Sequence, residues 1–237
     1  MDIKWHGHSC FEISDGDATL LIDPFLKPNN PSAVHTADEV EPTHVLLTHG
    51  HADHVADAVG VCRRTGAPAV AIVELANWLG EQGVEETHDP NLGGTVRFDW
   101  GWVKLVQAFH TNTAPGSEDA PFSPTPGTVI GHAAGLVISI GGKTIYHAGD
   151  TCLFGDMQLI ALRTPIDIAL LPIGGHYTMD RHDAAYAAGL IGAGTVIPCH
   201  YNTFPPIETD AEAFKADVEA QSSSEVVILE PGETHEA

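Results

Sequence analysis

The run Thr48-His49-Gly50-His51-Ala52-Asp53-His54 places three imidazoles and a carboxylate within positions 49–54, directly after the apolar stretch His44-Val45-Leu46-Leu47. That stretch reads as a buried strand. Neutral imidazole nitrogen and carboxylate oxygen are the ligands a borderline divalent ion such as zinc prefers. If the chain leaves the strand still extended, His49 and His51 point to the same side and can grip one ion. The turn that follows can then aim Asp53 and His54 at a second. A lone His-x-His would read as a surface loop; the whole pattern on a strand end reads as metal chemistry.

Two ions need more ligands than one loop provides, and three further residues sit at the ends of apolar runs. His110 ends Val103–Phe109, Asp150 follows Lys143-Thr144-Ile145-Tyr146 in His147-Ala148-Gly149-Asp150-Thr151, and His200 closes Val196-Ile197-Pro198-Cys199. Strand ends are held more firmly than free loops, so they suit a rigid site. Any one of these residues alone would read as a satisfied polar group. The same position type recurring at each strand end reads as a metal centre.

The elements that must position them fall into two similar halves. Ile3–Trp5, Cys10–Ile13 and Ala18–Ile22 read as a β-meander, residues 24–42 as a Pro-rich loop, and Val45–Leu47 as the strand before the His-rich turn. A helix over Val55–Arg64 that Gly66 can end, a strand over Ala67–Val73 and a short helix over 74–82 follow. A second β-rich stretch comprises Thr95–Phe98, Trp102–Phe109, Gly135–Ile140 and Thr144–His147. Residues 112–127, rich in Pro and Gly and placed after His110, form a candidate lid. The last third alternates strand Ile168–Pro172, helix 180–191, strand Thr195–Pro198, helix 210–220 and strand Glu225–Leu229. Two halves of β-meander followed by β/α units predict an α/β (α+β) fold with sheets inside and helices outside, a four-layer αββα sandwich. No linker separates the halves, so a single domain over 1–237 is expected.

The 237 residues can bury a real core, and 43% hydrophobic against 18% charged residues excludes a disordered chain. Asp plus Glu number 32 and Lys plus Arg 10, a formal charge of −22 that repels phosphate backbones. Neither nucleic acid nor an anionic membrane is therefore expected as the main partner; a small-molecule substrate is expected. Neither a basic-then-apolar leader nor a run of membrane-spanning length is read, so a cytoplasmic protein is expected. Cys10, Cys62, Cys152 and Cys199 form no CxxC pair and suit reduced thiols, as small apolar fillers rather than ligands.

Taken together, HxHxDH at 49–54, His110, Gly149-Asp150-Thr151 and His200 resemble the metallo-β-lactamase superfamily. Gly7-His8-Ser9-Cys10-Phe11, Leu171-Pro172-Ile173-Gly174-Gly175-His176-Tyr177-Thr178-Met179 and His200-Tyr201-Asn202-Thr203-Phe204-Pro205 resemble a subgroup of it, small metal-dependent hydrolases related to the ascorbate-6-phosphate lactonases. The resemblance covers nearly the whole chain and implies the αββα sandwich. It implies that His49, His51 and His110 bind one ion, that Asp53, His54 and His200 bind a second, and that Asp150 bridges them. The ions implied are two divalent metals, zinc first, with manganese or iron as alternatives. His8 and His176 match subgroup motifs and are expected beside the site, orienting ligands or touching substrate; with Asp53 they are the catalytic candidates. Relatives that assemble leave a homo-oligomer open. After Met179 the run Asp180-Arg181-His182-Asp183 is more polar than the subgroup pattern, and Asp180 or Asp183 can serve the first turn of a helix.

Two ions roughly 3.5–4 Å apart can share a bound water and lower its pKa toward neutrality. The expected function is thus hydrolysis of a small ester, lactone or phosphodiester. The alternatives are an RNA-processing nuclease of the same superfamily, which the charge opposes, and a non-hydrolytic metal-binding module. His6, His35, His44, His88, His132, His147 and His235 are assigned no chemistry.

Overall fold

The computed structural model describes residues 1–114 and 128–237. The candidate lid at 112–127 lies for the most part outside the described residues. In the first half, β1 (Asp2–Gly7), β2 (Cys10–Asp15), β3 (Ala18–Ile22), β4 (His44–Leu46), β5 (Ala69–Val70) and β6 (Thr87–His88) form one sheet. Its edge is closed by β14 (Thr234–Glu236), giving the order β14-β1-β2-β3-β4-β5-β6. The second sheet has the order β13-β12-β11-β10-β9-β8-β7, built from β7 (Thr95–Phe98), β8 (Gly101–Gln107), β9 (Ala134–Ile140), β10 (Lys143–His147), β11 (Ile168–Pro172), β12 (Thr195–Cys199) and β13 (Glu225–Val226). Each sheet is antiparallel where the meander runs and parallel where helices intervene.

One continuous core joins the sheets, with Leu20, Ile22 and Leu46 of the first and Leu136, Ile138 and Leu170 of the second all fully buried. Helices cover the outside: α3 (Val73–Glu81) lies on β5 and β6, α5 (Arg181–Ile191) on β11, and α6 (Ala211–Gln221) on β13. The four-layer αββα sandwich expected from the sequence is therefore the observed fold.

The helix predicted over Val55–Arg64 is broken into α1 (Ala52–Val55) and α2 (Ala58–Thr65). The break falls at Asp57, whose carboxylate accepts from Leu26 N–H at 2.7 Å and from the Asn29 amide at 3.1 Å. Gly66 ends α2 in the left-handed conformation, as its position predicts. The strand expected over Ala67–Val73 is paired only at Ala69–Val70, because Ile72 already caps α3. The strand expected to run to Leu229 ends at Val226. Asp180 caps α5 by accepting from His182 N–H and Asp183 N–H, both at 2.9 Å. Cys10, Cys62 and Cys199 are buried and Cys152 exposed, all as free thiols; burial pushes the Cys62 thiol up to about 12, which makes it inert.

A candidate metal centre at the strand ends

Leu47 N–H bonds to the Val70 carbonyl at 2.9 Å, so β4 stays extended past its last ladder residue and carries His49 and His51 out on one side. Gly50 between them admits no side chain, since a Cβ there would stand 2.3 Å from Ile130 Cδ1 and 2.9 Å from the Thr113 carbonyl. Its N–H donates to Asn112 Oδ1 at 2.8 Å, and the Asn112 amide donates to the Ile130 and His132 carbonyls at 2.7 and 2.9 Å. Asn112 thus clamps the His-rich turn to the neighbouring segment. Asn112→Ala leaves those buried groups without partners and should cost about 1–3 kcal/mol of stability in urea unfolding. An unchanged midpoint would show that the clamp carries nothing.

His51 caps α1, and that single turn swings Asp53 and His54 toward the second sheet. There His110 follows β8, Asp150 follows β10 and His200 follows β12. Gly149, with φ of +63° and its Cβ direction 2.7 Å from the Ala134 carbonyl, allows the sharp turn that presents Asp150. The first sheet therefore supplies His49, His51, Asp53 and His54, and the second supplies His110, Asp150 and His200.

Their ligand atoms converge in two adjoining groups. His49 Nε2 and His51 Nδ1 are 3.0 Å apart, His51 Nδ1 and His110 Nε2 3.3 Å, and Asp150 Oδ2 lies 3.6 Å from His110 Nε2 and 4.0 Å from His49 Nε2. On the other side His54 Nε2 is 3.4 Å from Asp150 Oδ1, and His200 Nε2 is 3.1 Å from Asp150 Oδ2 and 3.9 Å from Asp53 Oδ2. Four ligands around one zinc, each at 2.0–2.1 Å, would stand about 3.3 Å from one another, so the spacing suits a shared ion. His54 Nε2, Asp150 Oδ1 and His200 Nε2 are buried with no hydrogen-bond partner among the described residues. Buried polar atoms left open in this way are what an ion satisfies.

The electrostatics point the same way. Burial, with repulsion from the neighbouring imidazoles, lowers His49 and His110 and brings His51 down to about 4. Three neutral rings at neutral pH are three available lone pairs. Burial opposes charge on His54 as well, but Asp150 and Asp23 overcome it and hold that imidazole well above its ordinary value. Burial likewise opposes ionised Asp53 and Asp150, yet histidines hold both carboxyls below the usual range: His8 and His54 for Asp53, His200 and His54 for Asp150.

Partners behind the ligands set their orientation. Asp23, fully buried at the end of β3, accepts from His54 Nδ1–H at 2.7 Å, from Thr48 N–H at 2.8 Å and from Thr48 Oγ1–H at 2.6 Å. With the Thr48 proton committed to Asp23, His49 Nδ1–H donates to Thr48 Oγ1 at 3.0 Å and leaves its Nε2 lone pair to the centre. Asp23 closes the run Ala18–Ile22 and so has the same position type as Asp150, the one signal in the sequence that points to it. His147, expected to carry no chemistry, also supports the centre. Its Nε2–H donates to the Ser9 carbonyl at 3.1 Å and its Nδ1 accepts from Gly149 N–H at 3.0 Å, which fixes the turn bearing Asp150.

His8 stands where the motif placed it, beside the centre. It is buried, donates from Nε2 to Asp53 Oδ2 at 3.1 Å and accepts at Nδ1 from Thr203 Oγ1–H at 2.9 Å. Burial and His200 bring its pKa down to about 4. His176 is exposed, its ring edge-on to Tyr177 at 4.5 Å, and Tyr177 rather than His176 lines the cavity over the centre. Three of the residues around the site, His8, Asp23 and His200, have left-handed backbones with φ of +56°, +46° and +53°. The His200 N–H donates to the His8 carbonyl at 2.9 Å, so two of these bends are tied together across the sheets.

A two-sheet sandwich that gathers histidine and aspartate ligand atoms along one rim defines a metal-binding protein of the metallo-β-lactamase fold. The chain belongs to the metallo-β-lactamase superfamily: residues 2–200 match the family model described as a beta-lactamase superfamily domain. A UPF0173 metal-dependent hydrolase of Shouchella clausii is 48% identical over 238 residues, covering all of both chains. One from Symbiobacterium thermophilum is 47% identical over 238 residues, covering 99% of each. Among solved structures, Igni18, a metallo hydrolase from the hyperthermophilic archaeon Ignicoccus hospitalis, superposes with a TM-score of 0.86 at 36% identity, over 99% of this chain and 97% of that one. These hydrolase relatives set aside the binding-module alternative. No helix among the described residues is long and apolar enough to cross a membrane.

Proposed function

We propose that this hydrolase cleaves a small ester, lactone or phosphodiester with the aid of two divalent ions, zinc first and manganese or iron as alternatives. His49, His51 and His110 would hold one ion and Asp53, His54 and His200 the other, with Asp150 shared. The observation that carries this reading is the position of Asp150, whose two oxygens lie within 3.1–4.0 Å of His49, His54, His110 and His200 Nε2 atoms from both groups. Such a pair of ions supplies an acidified water as nucleophile and a Lewis acid for the attacked oxygen.

The protein's own residues supply the rest. Asp53 lines the cavity, is partly exposed and stays ionised, so it can orient a water or accept its proton. His8, fixed by Thr203, holds that carboxylate in place. The formal charge of −22 favours a small-molecule substrate over RNA and over an anionic membrane, and a cytoplasmic setting completes the proposal.

Chelation and reloading test it. Stripped protein should lose turnover of an activated aryl ester or phosphodiester and melt at least about 4 °C lower, since an ion bound only to the folded state stabilises it. Reloading should restore both. Protein that holds its ions yet turns over no ester, lactone or phosphodiester would defeat the proposal.

A further inference from the structure

The cavity over the centre, about 420 Å³, is large enough for a small organic substrate. Its floor is metal-centre histidine and aspartate; its walls are Thr111, Tyr177, Phe204 and Pro206. Phe204 is a firm wall, with its ring 5.7 Å from His8 and 6.4 Å from Phe25. Among the described residues no Lys or Arg lines this space. The segment 115–127 cannot add one, because the sequence holds no Lys or Arg between Lys104 and Lys143 and instead places Glu118 and Asp119 there. Arg181, at the start of the helix after Tyr177, is committed to Asp217 of α6.

We infer that the substrate has a non-reacting part that is uncharged and apolar, seated against Phe204, Tyr177 and Pro206. An anionic group away from the reacting bond would be desolvated against aromatic and prolyl carbon with no side-chain cation among the described residues to meet it. An acidic protein adds to that penalty. This inference rests on the hydrolase reading above and narrows its substrates to those whose distal part is uncharged. It disfavours substrates anchored by a remote phosphate or carboxylate.

The test is a matched pair, 4-nitrophenyl hexanoate and its ω-sulfonated analogue, which share leaving group and scissile bond and differ in one distal charge that ligates metals poorly. The metal-loaded protein should show kcat/KM at least about 30-fold higher for the neutral ester. Phe204→Ala should lower the neutral value about 10-fold, through KM, and leave the sulfonated one unmoved. Pro206→Arg, which adds the missing cation, should narrow the gap. Equal values, or a preference for the sulfonated ester, overturn the inference. If neither ester turns over, the ester-hydrolase reading itself has failed. The corresponding anilides, titrated calorimetrically, then decide the charge question separately. Tighter binding of the neutral anilide supports it; equal binding, tighter binding of the charged one, or no binding overturns it.

Discussion

Asp150→Asn should reduce turnover by about 10³-fold or more, equal to roughly 4 kcal/mol of lost transition-state stabilisation, and should lower the metal content of the protein. The substitution keeps the shape of the side chain and removes its charge. In the native protein that charge stands among four imidazoles, with Oδ2 3.1 Å from His200 Nε2 and Oδ1 3.4 Å from His54 Nε2. No other carboxylate among the described residues is within 4.0 Å of both His110 and His200. Without it the two ligand groups lose their common member and two ions would repel each other across an uncharged amide. Metal analysis of the purified variant separates the two effects, because a fold defect would also lower the melting temperature of chelated protein. Wild-type metal content together with wild-type turnover would remove Asp150 from the centre.

Asp23→Asn should weaken metal binding about 10- to 100-fold through an atom that never meets the ion. The Asp23 carboxylate accepts the Nδ1 proton of His54 and so leaves Nε2, 3.4 Å from Asp150 Oδ1, as the nitrogen that an ion can take when it displaces the other proton. An amide nitrogen in place of Oδ2 donates to Nδ1 instead. The imidazole proton then moves to Nε2, the atom that must ligate. The same change disturbs Thr48, whose hydroxyl donates to Oδ2 and in turn fixes His49. Excess metal should recover part of the activity, which it would not do for a lost nucleophile. Metal affinity equal to wild type in a competition titration would show that the His54 tautomer does not depend on Asp23.

What was legible in the sequence follows from periodicity and spacing. The two meanders and the alternating β/α units carry long apolar runs, so the sandwich could be read. A histidine or aspartate closing such a run is equally visible, and the structure brings His49, His51, Asp53, His54, His110, Asp150 and His200 to one rim. The break at Asp57 was not legible, because its cause is the Leu26 N–H some thirty residues away. Nor were β6 and β14, two and three residues long, which are too short to show an alternating pattern and exist only through their ladder partners. Asp23, followed at once by Pro24, reads as the start of a loop. His147 gave no signal beyond its nearness to Asp150. His8 lies with Ser9 in the tight turn between β1 and β2, buried beside the centre, whereas His176 lies on an exposed turn where the adjacent Tyr177 lines the cavity instead.

The left-handed backbones at His8, Asp23 and His200 set a boundary on improving this protein. An L residue in that conformation carries about 1 kcal/mol or more of strain. Glycine would relieve it at each position and delete a ligand or a ligand's support. Selection for durability and selection for chemistry therefore pull in opposite directions at these three places. A programme of thermostabilisation, or any design that averages over relatives, should hold them fixed and spend its substitutions on solvent-facing apolar residues such as Leu162 and Val129, exposed by 71% and 74%.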